Sequence, residues 1–294
     1  MKKKFALILT NVLLLIFLSV KVFAAEVTTS NITKTMDTTE KTQVYMLSES
    51  TDSAIKIAER SYQEEMSATL NSAADIPQVL QKAFDMHATT IRITSTTNIF
   101  SELSNQLNTE IGGLIGRYNV HSCNGYHLSR KGNNYVITLS WLSTIQEEQA
   151  LDMYILQTIG NYSEGSAYQK VKKVHDTICE MVAYDNATAT GQADNNSAYD
   201  AVANKLSVCT GYALLFQKYM DGLGIPCYTA AGTRNGGPHM WNIVNIDGQW
   251  YHIDCTWDDQ GSYIANQWFL CGADRAGYSS WGNVTLAETS YPYE

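Results

Sequence analysis

The sequence predicts an α+β fold. Three observations carry that reading. Segments with a helical apolar period recur along the chain, and two β-rich stretches turn back on themselves, one around residues 130–134 and one around Asp247-Gly248. With 294 residues and 45% hydrophobic content, the chain can bury two small cores or one large one. Charged residues make up 17%, and Tyr, Asn, Thr and Ser are plentiful, which suits a folded extracellular protein with an uncharged polar surface.

Taken in order, Lys2, Lys3 and Lys4 precede an apolar run over residues 5–20, and Val22-Phe23-Ala24 carries small residues where a signal peptidase reads. This pattern predicts an export signal over residues 1–24, removed after Ala24. The apolar run is shorter than the about 20 residues a membrane span needs. Removal takes four lysines and no acids, so the formal charge moves from −9 to −13. An acidic mature chain lacks the clustered Lys and Arg that phosphate binding needs, which argues against nucleic acid and anionic membranes. A secreted protein without a stable membrane anchor is expected.

Residues 25–72 read as a flexible Thr/Ser-rich leader ending in one short helix over 51–72. Residues 73–162 read as a small α+β domain of unknown role. Asp75-Ile76-Pro77 opens a helix through Met86, residues 89–95 form a β-branched run, and residues 99–115 keep a helical period. Residues 126–128 and 135–141 flank the hairpin turn, and residues 145–159 are helical again. His87, His121 and His127 stand apart and read as packing or surface residues.

Residues 163–294 have a different character. An amphipathic helix is predicted over 167–182, a polar loop over 184–196 and a short helix over 197–203. A further helix follows from Ser207, its expected N-cap, and ends at Gly222 and Gly224 before Pro226. Residues 213, 216, 220 and 223 form its apolar stripe. Cys209 falls in its first turn, where unpaired N–H groups and the positive end of the helix dipole favour a thiolate and can hold an oxyanion. Gly211 lets a substrate backbone approach. A cysteine at such a place is also often a small buried hydrophobe.

The segment 239–255 reads as a hairpin, because Asp247-Gly248 between β-rich runs favours a two-residue type I′ turn. That turn sets Ile246 against Gln249 and Trp241 against Asp254. His239 lies diagonal to Asp254 on one face, about 7–8 Å away, within reach of long side chains. His252 shares that face opposite Ile243, and packing is its plainer reading. His239 follows a Gly-rich loop over 232–238. A carboxylate that orients an imidazole, whose other nitrogen meets a thiol, is the arrangement acyl transfer needs.

Five stretches together resemble the transglutaminase-like superfamily, with its papain-like cysteine fold, in its secreted microbial branch. They are Ala198-Tyr-Asp-Ala201, Ser207-Val-Cys-Thr-Gly-Tyr-Ala213, Gly224-Ile-Pro226, His239-Met-Trp-Asn-Ile243 and Trp250-Tyr-His-Ile-Asp-Cys-Thr-Trp-Asp-Asp259. They follow the family's order. The resemblance implies Cys209 as nucleophile, His239 as general base and acid, and Asp254 as orienting group. It implies a C-terminal core in which the cysteine helix packs on an antiparallel sheet, with Tyr199 and Trp257 lining the cleft. Ser207 departs from the usual Gly before the Val-Cys pair.

The expected function is cysteine-nucleophile chemistry on amide bonds: peptidase, deamidase or glutaminyl-amine acyltransferase. The substrate is a protein or peptide, with the cell envelope as one source, and neither cofactor nor metal is called for. Two alternatives have different tests. A binding or adhesion module of the cell envelope that kept the fold and lost turnover would bind partners with no detectable activity. A metal site of Cys209, His239, Asp254 and Cys255 lacks ligand-pair spacing, and the six cysteines include no C-x-x-C. Asp258-Asp259 lack the spaced oxygens of a calcium loop and read as a turn.

Overall fold

The computed structural model describes residues 60–113, 115–275, 277–279 and 284–292. The predicted export signal, and the leader and helix as far as residue 59, lie outside the described residues. Among the described residues no helix is long and apolar enough to cross a membrane.

The first sheet has four strands: β1 (Glu65–Leu70), β2 (Thr90–Ser95), β3 (Cys123–Lys131) and β4 (Asn134–Trp141), in the order β1-β2-β4-β3. Residues 65–70 were expected within a helix; they form a strand parallel to β2, with Glu65 opposite Thr90. The reason lies in its period. Met66, Ala68 and Leu70 recur every second residue, Met66 and Leu70 are buried, and strand pairing buries that face as one helical turn could not. The unit predicted from residue 73 therefore includes chain before that point.

Helices α1 (Ile76–Asp85) and α2 (Phe100–Ile111) supply the apolar partners of this sheet. Leu80, Phe84, Leu103 and Leu107 join Ile91, Ile93, Tyr135 and Ile137 in one core cluster. The second helix ends at Ile111, four residues before the predicted 115, and Ile115–Gly116 instead pairs with the second sheet.

The second half begins with α3 (Ile145–Thr158) and α4 (Ala167–Met181), each opened by a capping box, Thr144/Glu147 and Ser166/Gln169. Then come α5 (Ala198–Ala203), α6 (Cys209–Leu223), the strands β5 (Cys227–Arg234), β6 (Gly237–Ile246) and β7 (Gln249–Ile253), and the short helix α7 (Cys255–Asp258). The sheet runs β7-β6-β5, with Tyr278–Ser279 at the far side of β5.

Helix α6 is the axis of this half. The sequence suggested an apolar stripe; nearly every residue from Gly211 to Leu223 is buried. Its polar side chains are satisfied internally. Lys218 Nζ lies 2.9 Å from Glu148 and 2.7 Å from Asp152 of α3. Gln217 bonds the Cys227 carbonyl at 3.2 Å and the Thr229 hydroxyl of β5. A buried charge left alone costs several kcal/mol, so these partners are a condition of enclosing the helix. Gly224, left-handed at φ 68°, ends it.

Candidate active site

The first helical residue of α6 is Cys209. Its N-cap is Val208 rather than the expected Ser207, and Val208 offers no side-chain cap. Ser207 is occupied elsewhere. It pairs with Tyr184 in a two-residue bridge, and its hydroxyl donates to the Asn195 carbonyl at 2.8 Å. No side chain caps the first turn, where the Gly211 N–H bonds the Val208 carbonyl at 3.1 Å, and a helix tip without a side-chain cap suits anion binding. The predicted polar loop is fastened in place, because Asp185 accepts from Asn195 Nδ2 at 2.6 Å and from the Ala187 amide at 3.0 Å.

Gly211 has another use than the one expected. A Cβ there would meet the Ser207 hydroxyl and lie 2.6 Å from the Ser197 carbonyl. Its bare backbone admits the start of α5 and not a substrate.

The β6–β7 register follows from the turn. Asp247 and Gly248 have φ of 52° and 84°, and Ile246 faces Gln249. The ladder stops at Ile253 opposite Asn242, one residue short of the predicted Trp241–Asp254 pair. Asp254 leaves the strand to cap α7, accepting the Trp257 amide on Oδ1 at 3.1 Å. Its Oδ2 meets His239 Nε2 at 2.7 Å and accepts the Tyr278 hydroxyl at 3.0 Å. Asp254 is buried, as is the Tyr278 ring.

His239 Nε2 is thereby engaged. Burial lowers the pKa of His239, but the hydrogen bonds to Asp254 and Cys209, with both charges, carry it up to about 9. Asn242 donates to the Ala213 carbonyl at 2.9 Å, tying the histidine strand to the cysteine helix.

The 232–238 stretch is not a loop. Strands β5 and β6 run through it and turn at Asn235-Gly236, with φ of 51° and 81°. Asn-Gly is the strongest short hairpin signal and stands in the sequence.

An aromatic wall backs the imidazole. Trp241 stacks at 5.9 Å between centroids, and Trp257 meets it edge-on at 6.1 Å. The buried Arg234 guanidinium lies over Trp257 at 4.2 Å, Trp268 at 3.5 Å and Tyr278 at 4.5 Å. Arg234, Trp268 and Tyr278 were missed by sequence reasoning. Tyr278 arrives from an irregular segment with no period, and only its pairing with Arg234 brings it here.

His252 faces Ile243, as the register requires, and is buried. Burial lowers its pKa to about 4, and its Nδ1 accepts from Trp241 Nε1 at 2.8 Å. It is a packing residue. Tyr199, expected at the cleft, packs against the larger core, where burial first and then Glu147 and Asp200 raise its pKa. Cys255 does not join Cys209 and His239; it lies buried against Cys179 and His175. Asp258 and Asp259 are more than a turn. Asp258 is fully buried and accepts the Gln267 amide at 2.7 Å, and Asp259 accepts the Tyr212 hydroxyl at 2.6 Å.

Beside Thr210 and Met240 opens a cleft whose far wall is Ile111, His121, Cys123 and Asn124 of the first half. Tyr184 is 42% exposed, and partial burial and then the charge of Cys209 raise its pKa.

Residues 157–255, which include Cys209, His239 and Asp254, match the sequence model of the Transglutaminase-like superfamily. The chain carries a transglutaminase-like domain. Among curated proteins, this domain is similar to the kyphoscoliosis peptidase of Homo sapiens, 29% identical over 104 residues, and to that of Mus musculus, 28% identical over 107 residues. The matches take in 30% and 31% of this chain but 15% and 16% of those proteins, so the chain spans a small part of its relatives' length. Among solved structures, a transglutaminase crystal structure aligns at TM-score 0.36 and 20% identity, covering 58% of this chain and 52% of that one. The periplasmic domain of TgpA from Pseudomonas aeruginosa aligns at 0.30 and 17%, covering 44% and 57%. At these scores the structural likenesses carry no functional argument. The transglutaminase-like domain is α+β, with the cysteine helix packed on an antiparallel sheet.

Proposed function

We propose that the chain is an exported cysteine-nucleophile enzyme that acts on amide bonds of a protein or peptide through Cys209, His239 and Asp254. One observation carries the proposal. His239 Nε2 lies 2.7 Å from Asp254 Oδ2, and interaction with Cys209 helps to raise the pKa of the same ring. Five of the six cysteines are buried and Cys209 is partly exposed, so it is the sulfur a substrate can reach.

In the proposed reaction the Cys209 thiolate attacks the amide carbon, and first-turn N–H groups of α6 stabilise the oxyanion. The His239 imidazolium then gives its proton to the leaving amine. Asp254 holds the ring and balances its charge throughout. Neutral His239 next takes a proton from the acceptor that resolves the acyl-enzyme. Water as acceptor gives hydrolysis or deamidation, and an amine gives a crosslink. The cleft beside Thr210 and Met240, with the first half as its far wall, is the proposed entry for the substrate. The acidic exported chain fits envelope peptides as substrates.

Mass spectrometry of purified protein with glutamine-containing and lysine-containing peptides tests this reading. Cleavage, a one-dalton gain or a crosslink, each lost in Cys209→Ala, is expected. Iodoacetamide modification of Cys209 no faster than that of a free thiol near neutral pH would falsify the activated-nucleophile reading.

A further inference from the structure

A second cluster of ligating side chains lies inside the same half, away from the site above. His175 and Cys179 are four residues apart on α4, so they share one face. Cys255 and Asp258 are the first and last residues of α7. His175 Nε2, Cys179 Sγ and Cys255 Sγ all lie within 4.8 Å of one another, and all three residues are buried. Asp258, also buried, puts Oδ2 3.2 Å from His175 Nε2.

We propose that His175, Cys179 and Cys255 bind a zinc ion. Two thiolates and an imidazole are donors that suit zinc. Cys179 Sγ lies 3.8 Å from His175 Nε2, near the separation that zinc–nitrogen and zinc–sulfur bonds of about 2.0 and 2.3 Å give at a tetrahedral angle.

The surroundings are those of a metal site as well. A ligating histidine usually gives its other ring N–H to a carboxylate. His175 Nδ1 lies 2.9 Å from Asp176 Oδ1, and Lys172 holds Asp176. All three donors are buried, as in a structural metal site. It would fasten α7, whose cap is Asp254, to α4, and so fix the carboxylate that orients His239. The zinc proposal does not depend on the amide-bond reading, since its readouts are metal content and stability.

The test uses the full chain, expressed with zinc chloride and purified without chelator, then assayed by inductively coupled plasma mass spectrometry. About one zinc per chain is expected, bound through two sulfurs by X-ray absorption of the wild type. Cys179→Ser and Cys255→Ser should each lower the content at least about tenfold and lower Tm, while Cys209→Ser keeps the metal. Should either variant fail to fold, the wild-type metal content and sulfur coordination decide alone. A wild type without zinc overturns the proposal, whether its two thiols are free or it carries a Cys179–Cys255 disulfide, two daltons lighter. Zinc lost in Cys209→Ser and kept in Cys179→Ser overturns it too.

Discussion

Two Cys–His–Asp groupings lie in the second half, and they differ in access more than in composition. In Cys209–His239–Asp254 the ring nitrogen and carboxylate are 2.7 Å apart; in Cys179–His175–Asp258 they are 3.2 Å apart. His175 and Asp258 have no exposed side-chain surface, whereas His239 keeps 7% and Cys209 is partly exposed. Cys209 opens its helix, at the positive end of the dipole; Cys179 sits two residues before the end of α4, where the dipole opposes a thiolate. Residue types alone therefore do not mark a nucleophile. Position on the helix and a path to solvent separate a reactive thiol from a structural one.

The largest expected effect breaks this symmetry outright. Cys209→Ala should lower kcat by about 10⁴-fold or more, as loss of a nucleophile does elsewhere, with Tm little changed. Cys179→Ala should do the reverse, a loss in Tm without abolished turnover. Steady-state hydrolysis of a glutamine peptide and thermal unfolding of both variants make the check, and equal kcat losses would erase the distinction.

Asp254→Asn comes next. An amide cannot balance the imidazolium, so kcat should fall by about 10²- to 10⁴-fold. The His239 pKa should drop, moving the alkaline limb of turnover to lower pH. In the wild type, turnover should decline as pH rises through about 9, because neutral His239 cannot protonate the leaving amine. Iodoacetamide labelling of Cys209 should not decline over that range, since it needs no acid.

The same pKa has a stability consequence. The folded value of about 9 lies above the unfolded value of about 6.5. Protonated His239 therefore favours the folded state fully below about pH 6.5, and that contribution is lost as pH rises through about 9. Thermal unfolding across pH 6–10, with His239→Gln as reference, should show the wild type losing its advantage over that window.

The smallest effect is assigned to Tyr278→Phe. It removes one hydrogen bond from a buried carboxylate that keeps two others, so a loss of about 1.5 kcal/mol, roughly tenfold in kcat, is expected. An unchanged alkaline limb would show that Tyr278 does not act through His239.

The approach of His239 to Asp254 was legible because Asp247-Gly248 fixes a two-residue turn, and such a turn leaves one register. The bend of Asp254 out of the strand was not, because the Trp257 amide it accepts and the Trp268 carbonyl its own N–H donates to come from chain with no periodic pattern. Arg234 and Tyr278 stayed hidden for the same reason. The Asn235-Gly236 turn was legible in principle, but Gly232, Gly236, Gly237 and Pro238 crowd around it and suggest a loop. Residues 65–70 are too few for a six-residue alternation to outvote a helical pattern. Cys179 and Cys255 stand far apart in sequence, so only the packing of α7 on α4 unites them.

The enclosure of α6 has a last consequence. A rod wrapped on every flank offers the outside world only its tip, so the reactive atom is approached end-on. Whatever decides who enters must then reside in the rim, in the 184–197 and 231–240 stretches and the opposing face at 121–124. The rim can be exchanged while the rod and its chemistry stay as they are. That division lets one chassis accept new guests without being rebuilt.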